Sequence, residues 1–237
     1  MRRLLATSPE YRAVVAPMTR TDGLVSLAVF VVLTALYVVH AQVMLAGAFT
    51  TKAAYDALQI GVALVGLAVV AGVLAVRRQD AASVGLRRTD LRRSLVPGLV
   101  AAGLLSAVNV AFAAWQGARH VNSLGAIAQG TAIFAVCAVE EEVVFRGYLS
   151  TRVHGLLSQP ALARLLGVVL FVAVHLPAKM LPTPADYVAR FDLSEVIWLA
   201  ILLLVGYVYD AVFRVTGSLV GPIAAHCLVN VSYSLLV

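Results

Sequence analysis

The chain has 237 residues, 61% of them hydrophobic and only 13% charged, against roughly half apolar and a quarter charged in soluble domains. That balance excludes a water-soluble fold and a disordered chain, and makes a bilayer the natural solvent. Two Cys exclude a disulfide framework and a four-Cys zinc site, and the net charge of +6 is scattered between apolar runs, with nothing to suggest nucleic-acid readout.

The predicted elements are apolar helices. In chain order, residues 23–51, 57–76, 94–118 and 121–139 contain no Asp, Glu, Lys or Arg. Two shorter charge-free runs lie at 165–178 and 196–209, and the last covers 215–237. A spanning helix needs about 20 mostly apolar residues. With the two short runs extended to 161–180 and 193–213, seven transmembrane helices result, and the fold class is an all-α polytopic membrane bundle. Residues 1–119 hold three spans and an Arg-rich loop, and residues 120–237 hold four spans.

Fourteen of the 18 basic residues fall on one side of this plan. They include Arg2, Arg3, Arg12 and Arg20 before the first span, and Arg77, Arg78, Arg87, Arg88, Arg92 and Arg93 after the second. Lys52 and Arg119 fall on the other side. The excess of Lys and Arg puts the richer side, and the N-terminus, in the cytoplasm, which predicts a multi-pass protein of the cell membrane. The first apolar run is too long for the core of a signal peptide and reads as a retained span. The stretch 77–93 reads as a cytoplasmic loop or short surface helix touching anionic lipid.

Charges inside apolar helices cost roughly 2.5–3.5 kcal/mol each on insertion scales, and such residues are usually functional. The fourth span carries Glu140, Glu141 and Glu142 in a row, then Arg146. On a regular helix Glu142 and Arg146 share a face and can pair, Glu141 points elsewhere, and Glu140 is left for a structural role. His175 follows Phe171 by four in the fifth span, and His226 precedes Asn230 by four in the seventh. Counted at 1.5 Å per residue, Glu141, His175 and His226 lie roughly 14, 21 and 17 Å from the cytoplasmic side, one layer in that half of the membrane. Asp210 and Arg214 form a structural pair by the same spacing, and Cys137 and Cys227 read as small buried apolar residues.

A carboxylate with two imidazoles supports hydrolysis in two ways. The three can bind zinc or another divalent metal and leave a place for water. Alternatively, the glutamate activates water directly while His and Asn donate to the oxyanion. No HExxH, GxSxG or phosphate-loop motif stands in a supporting context.

The ordered set Glu141-Glu142-x-x-x-Arg146, Phe171-x-x-x-His175 and His226-x-x-x-Asn230 resembles the CPBP intramembrane protease family, also called the CAAX-protease and bacteriocin-processing or Abi family. The surroundings EEVVFRGYL and GSLVGPIAAHCLVN are similar too, and the likeness covers residues 120–237. It implies that Glu141 activates water, that His175 assists or binds a metal, and that His226 and Asn230 line the site and stabilise the oxyanion. It also implies that Glu142 and Arg146 support the site or contact substrate, with Phe171 packed beside it. The metal-dependent and metal-free mechanisms both stay open. A protein or peptide substrate in the membrane follows. Sixteen Arg against two Lys suggest a GC-rich bacterial genome, where a peptide precursor or membrane protein is expected rather than a prenylated one. The competing readings are a non-catalytic immunity protein that binds a bacteriocin-like toxin, and an ion or proton transporter.

Overall fold

The computed structural model describes residues 7–47, 51–87, 91–118 and 120–235. Arg2, Arg3, Arg88 and Arg119 lie outside the described residues. The regular elements are helical: α1 (Pro9–Val15), α2 (Arg20–Leu45), α3 (Lys52–Val76), a 3-10 turn (Ala81–Val84), α4 (Leu91–Trp115) and α5 (Leu124–Glu141). A π-helix (Glu142–Leu149), α6 (Ser150–Arg152) and a second 3-10 turn (Val153–Gly155) continue the fourth predicted span. Then follow α7 (Pro160–Ala173), α8 (Leu176–Lys179), α9 (Pro184–Ala189), α10 (Leu193–Thr216) and α11 (Val220–Leu235).

Local chemistry sets these boundaries. Thr19 and Asp22 form a reciprocal capping box at the start of α2, and the side chains of Thr51, Ser123 and Asp192 cap α3, α5 and α10. Pro160 opens α7 where a missing N–H costs nothing. Gly217, at φ +65°, ends α10 in the left-handed conformation that glycine adopts without strain.

Six helical runs are long and apolar enough to cross a membrane: α2, α3, α4, Leu124–Gly155, Pro160–Lys179 and α10. The seventh predicted span corresponds to α11, whose 16 residues reach only about 24 Å at 1.5 Å per residue. Helices from both halves of the sequence share one bundle, and α11 packs chiefly on α4 and α5. Gly98 lets the α4 backbone approach Gly221 of α11, where a Cβ on Gly98 would lie 2.4 Å from the Gly221 carbonyl oxygen.

The connections sort to two ends as an alternating plan requires. At one end the Ser8 N–H donates to the Arg214 carbonyl at 2.8 Å, and the Leu219 N–H to the Gly85 carbonyl at 3.2 Å. Tyr11 meets His154 edge to face with centroids 6.1 Å apart. This end is tightly closed. Every residue of the π-helix is buried. The Arg-rich stretch lies at the surface as expected, with Arg78, Asp80 and Leu86 exposed, and it is also stitched to the bundle. Arg77 and Gln79 donate to Asp22 at 3.0 and 2.9 Å, and Val84 is buried against Gly147. Arg152, counted in sequence as a topology signal, is wholly buried below it. Arg146 and Arg214 are buried too. With those three set aside, the described basic residues still divide eight to three in favour of this end.

Candidate active site

The site is built around a change of helical winding. Glu141 is the last residue of α5 and Glu142 the first of the π-helix, whose i→i+5 bonding shows at its close, where the Ser150 N–H donates to the Phe145 carbonyl. Insertions of π winding in α-helices are rare and cluster at functional sites. Glu142 and Arg146 remain on one side of the wound segment, with Arg146 Nη1 3.0 Å from Glu142 Oε1. Glu140, one residue before Glu141, turns toward α2 and α3 and lines the same cavity. Tyr37 Oη donates to its Oε1 at 2.5 Å, and Gly66 supplies the room, because a Cβ there would lie 2.3 Å from that oxygen.

His175 owes its orientation to the end of α7. The His175 N–H turns to the Val172 carbonyl, a tightening of the last turn that frees the Phe171 carbonyl. The ring takes that acceptor: Nδ1 lies 2.7 Å from Phe171 O. A carbonyl only accepts, so Nδ1 carries a proton and Nε2 is the nitrogen left to face the cavity. His226 on α11 places Nδ1 2.8 Å from Glu142 Oε1 and packs its ring on Tyr209 with centroids 5.0 Å apart.

Both free nitrogens converge on one atom. Glu141 Oε2 lies 4.0 Å from His175 Nε2 and 3.9 Å from His226 Nε2. These groups line a cavity of about 450 Å³ together with Asn230, whose side-chain amide makes no hydrogen bond to a described residue. Glu142 and Arg146 stand behind the wall. The Arg146 guanidinium lies 3.8 Å from the centroid of the Phe171 ring and 5.2 Å from that of Tyr209. Its terminal nitrogens have no aligned hydrogen-bond partner, nor has Glu142 Oε2, although all three atoms are buried. The contact with Glu142 is therefore one of charge and packing more than of aligned hydrogen bonds.

The donor set suits a metal chemically, since each imidazole has its Nδ1 held and its Nε2 free. The spacing does not. Two ligands at about 2.0–2.1 Å from a tetrahedral zinc stand about 3.3 Å apart, well inside the observed 3.9 and 4.0 Å. Among the described residues no group of three His, Cys, Asp or Glu closes into a metal-holding set.

The chain matches the Rce1-like family, type II CAAX prenyl endopeptidase, over residues 122–232. That segment, 111 of the 237 residues, is similar to the Rce1-like domain. Neither a curated protein nor a solved structure matches the chain. The apolar helices and the match support a multi-pass membrane protein, and the match supports endopeptidase function in general.

All seven residues singled out in sequence fall within the matched segment. Glu141, Phe171, His175, His226 and Asn230 line the cavity, with Glu142 and Arg146 directly behind. Asp210 pairs with Arg214 at 2.8 Å as the spacing predicts. Both cysteines are half-buried, and Cys137 lines the cavity.

Sequence reasoning missed the contribution of the first 119 residues. Tyr37 and His40 of α2 and Gln59 of α3 line the cavity opposite the histidines. The available signal was their polarity inside runs that are otherwise apolar. The depth estimate also needs correction. The helical run holding Glu141 continues to Gly155, which sets Glu141 farther from the Arg-rich end. The cavity is lined by the C-terminal parts of α2 and α7, the N-terminal half of α3 and chiefly the N-terminal half of α10, so it lies away from that end.

Proposed function

We propose that the cavity hydrolyses a peptide bond with a water activated by Glu141. What carries the reading is the convergence of two imidazole Nε2 atoms on Glu141 Oε2 at 3.9 and 4.0 Å. Those separations are too long for direct hydrogen bonds. A water about 2.8 Å from both Glu141 Oε2 and His175 Nε2 would subtend about 90°, close to the angle between its two protons. It then gives one hydrogen bond to each and turns a lone pair toward the cavity.

In this mechanism Glu141 Oε2 takes a proton as the water oxygen attacks the carbonyl carbon. The carbonyl oxygen becomes an oxyanion, which receives hydrogen bonds from Asn230 Nδ2 and from His226 Nε2. His226 carries a proton on both ring nitrogens for that task, and the Glu142 carboxylate at its Nδ1 balances the charge. Arg146 and Phe171 fix Glu142 and the Phe171 carbonyl, and through them both imidazoles. The C–N bond breaks as Glu141 returns its proton to the leaving amine. Residues 120–237 act as the protease core, while the first 119 supply a cavity wall.

The substrate class is a membrane-associated protein or peptide. The family description names prenyl substrates, and the Arg-rich, Lys-poor composition favours an unprenylated one. The cell membrane is the proposed location, with the N-terminus in the cytoplasm.

The test is a single turnover in H2¹⁸O by the purified full chain after exhaustive chelation, using a quenched-fluorescent apolar peptide as probe. One ¹⁸O is expected in the new carboxylate of the product and none in Glu141. Label found in Glu141 would mean that the carboxylate attacked the peptide itself. Loss of turnover on chelation, restored by a divalent ion, would replace direct activation by a metal site.

A further inference from the structure

Three glutamates stand in a row, and their surroundings differ. Glu142, wholly buried, has Arg146 Nη1 at 3.0 Å and His226 Nδ1 at 2.8 Å. Glu141 faces the Nε2 atoms of His175 and His226. Glu140 has a phenol. Tyr37 Oη donates to its Oε1, and among the described residues no Lys, Arg or His lies within ion-pair distance of it.

The seat is shaped for this side chain. Glu140 is 3% exposed, and a Cβ on Gly66 would lie 2.3 Å from its Oε1. Its other oxygen, Oε2, accepts no hydrogen bond from a described residue, yet unlike Glu142 Oε2 it is not sealed off. Glu140 lines the catalytic cavity, so the open face of Oε2 is there. A buried carboxylate without a cation is costly, and a cation that joins it offsets the cost. The cavity supplies none of its own: among the described residues no Lys or Arg lines it, and Arg146 stands behind the wall on Glu142.

We infer that Glu140 is a specificity residue, whose Oε2 takes the cationic head of a Lys or Arg side chain of the substrate. Such a side chain suits the cavity, because its apolar stem can lie along the largely apolar walls while its head reaches the carboxylate. Neighbouring residues of a chain have Cα atoms about 3.8 Å apart, and an extended peptide advances about 3.3–3.6 Å per residue, so with Glu141 at the scissile bond the cation belongs within about two residues of it. That distance rests on the catalytic reading above; the cation site does not. The third glutamate, expected from sequence to be structural, thus becomes part of the binding surface.

The probes are fluorescent peptides of Leu and Ala, acetylated and amidated at their ends, that differ in one central side chain, Lys or norleucine. Their affinity for the full chain carrying Glu141→Gln is read by anisotropy in phosphatidylcholine nanodiscs, with the signal of empty nanodiscs subtracted. The Lys peptide should bind at least about tenfold more tightly than its norleucine partner, the usual worth of a hydrogen bond to a charged group. Adding Glu140→Gln should bring that ratio below about twofold and leave the norleucine peptide within about threefold of its former affinity. Tyr37→Phe spares the carboxylate and should keep the preference. Glu140→Asp, a milder change that withdraws the carboxylate by one methylene, should lower the ratio and keeps the test open if Glu140→Gln does not fold. A ratio near one with Glu140 present, as a neutral or purely structural carboxyl would give, overturns the inference. So does a preference that survives both changes at Glu140. Persistent peptide cleavage by the Glu141→Gln chain would sink the catalytic reading while leaving the cation site standing.

Discussion

Two buried arginines six residues apart in one continuous helical run have opposite surroundings. Arg152 is wholly buried, and its terminal nitrogens make five hydrogen bonds to Gln79, Ser83, Gly147 and Thr151, between 2.7 and 3.1 Å. Arg146 is 2% exposed, yet its terminal nitrogens find only a 3.0 Å charge contact with Glu142 and two aromatic faces. Burying a guanidinium is costly unless its donors are satisfied. The first arginine meets that condition at both terminal nitrogens, though not at Nε, and ties the connection after α3 to the end of the fourth span. The second does not, and it stands behind the groups proposed to do chemistry. Strain of this kind persists where the surrounding fold over-determines it, and it is concentrated at functional sites.

The comparison can be broken by substitution. Arg152→Ala takes the donor away from five acceptors, of which Gly147 O keeps Thr151 Oγ1, and should lower stability by about 1–3 kcal/mol for each acceptor left unpaired, read as a fall in the thermal unfolding midpoint of the purified protein. Asn230→Ala should keep the wild-type midpoint and lower kcat by about 10²–10³, the usual cost of one oxyanion donor. Arg146→Lys keeps a charge but loses the flat guanidinium against Phe171. It should lower kcat about tenfold or more with a smaller stability loss than Arg152→Ala. Equal destabilisation by the two arginine changes would erase the distinction. Gly66→Ala pushes a methyl into Glu140 and should cost about 1–3 kcal/mol by overpacking, whereas Tyr37→Phe, which removes one hydrogen bond, should cost only about 1 kcal/mol.

Much of this arrangement was legible in the sequence, for a physical reason. A charge among apolar residues is expensive, so Glu141, Glu142 and Arg146 stood out, as did His175 and His226. Helical spacing then joined Phe171 to His175 and His226 to Asn230. The apolar runs themselves mark helices in a bilayer, and they appear as α2, α3, α4, α5, α7, α10 and α11. The π winding after Glu141 was not legible, since no residue pattern encodes an i→i+5 register. Nor was the burial of Arg152, because a basic residue near a helix end looks the same whether it faces lipid headgroups or Ser83. The seat that Tyr37 and Gly66 form for Glu140 depends on helix packing between residues 103 and 74 positions away, which local spacing does not reach. The expected cytoplasmic-side depth failed for a related reason: the span was ended near Ser150, but buried polar contacts carry it to Gly155.

The central claim is that Glu141, unlike the buried polar residues around it, is needed for turnover and not for folding. It is tested most directly by the cleavage rate of Glu141→Gln in the full chain, compared with wild type at equal folded concentration. The account predicts a loss of at least about 10³-fold, within the range for a general base, with an unfolding midpoint close to wild type. Turnover within a few-fold of wild type would contradict it.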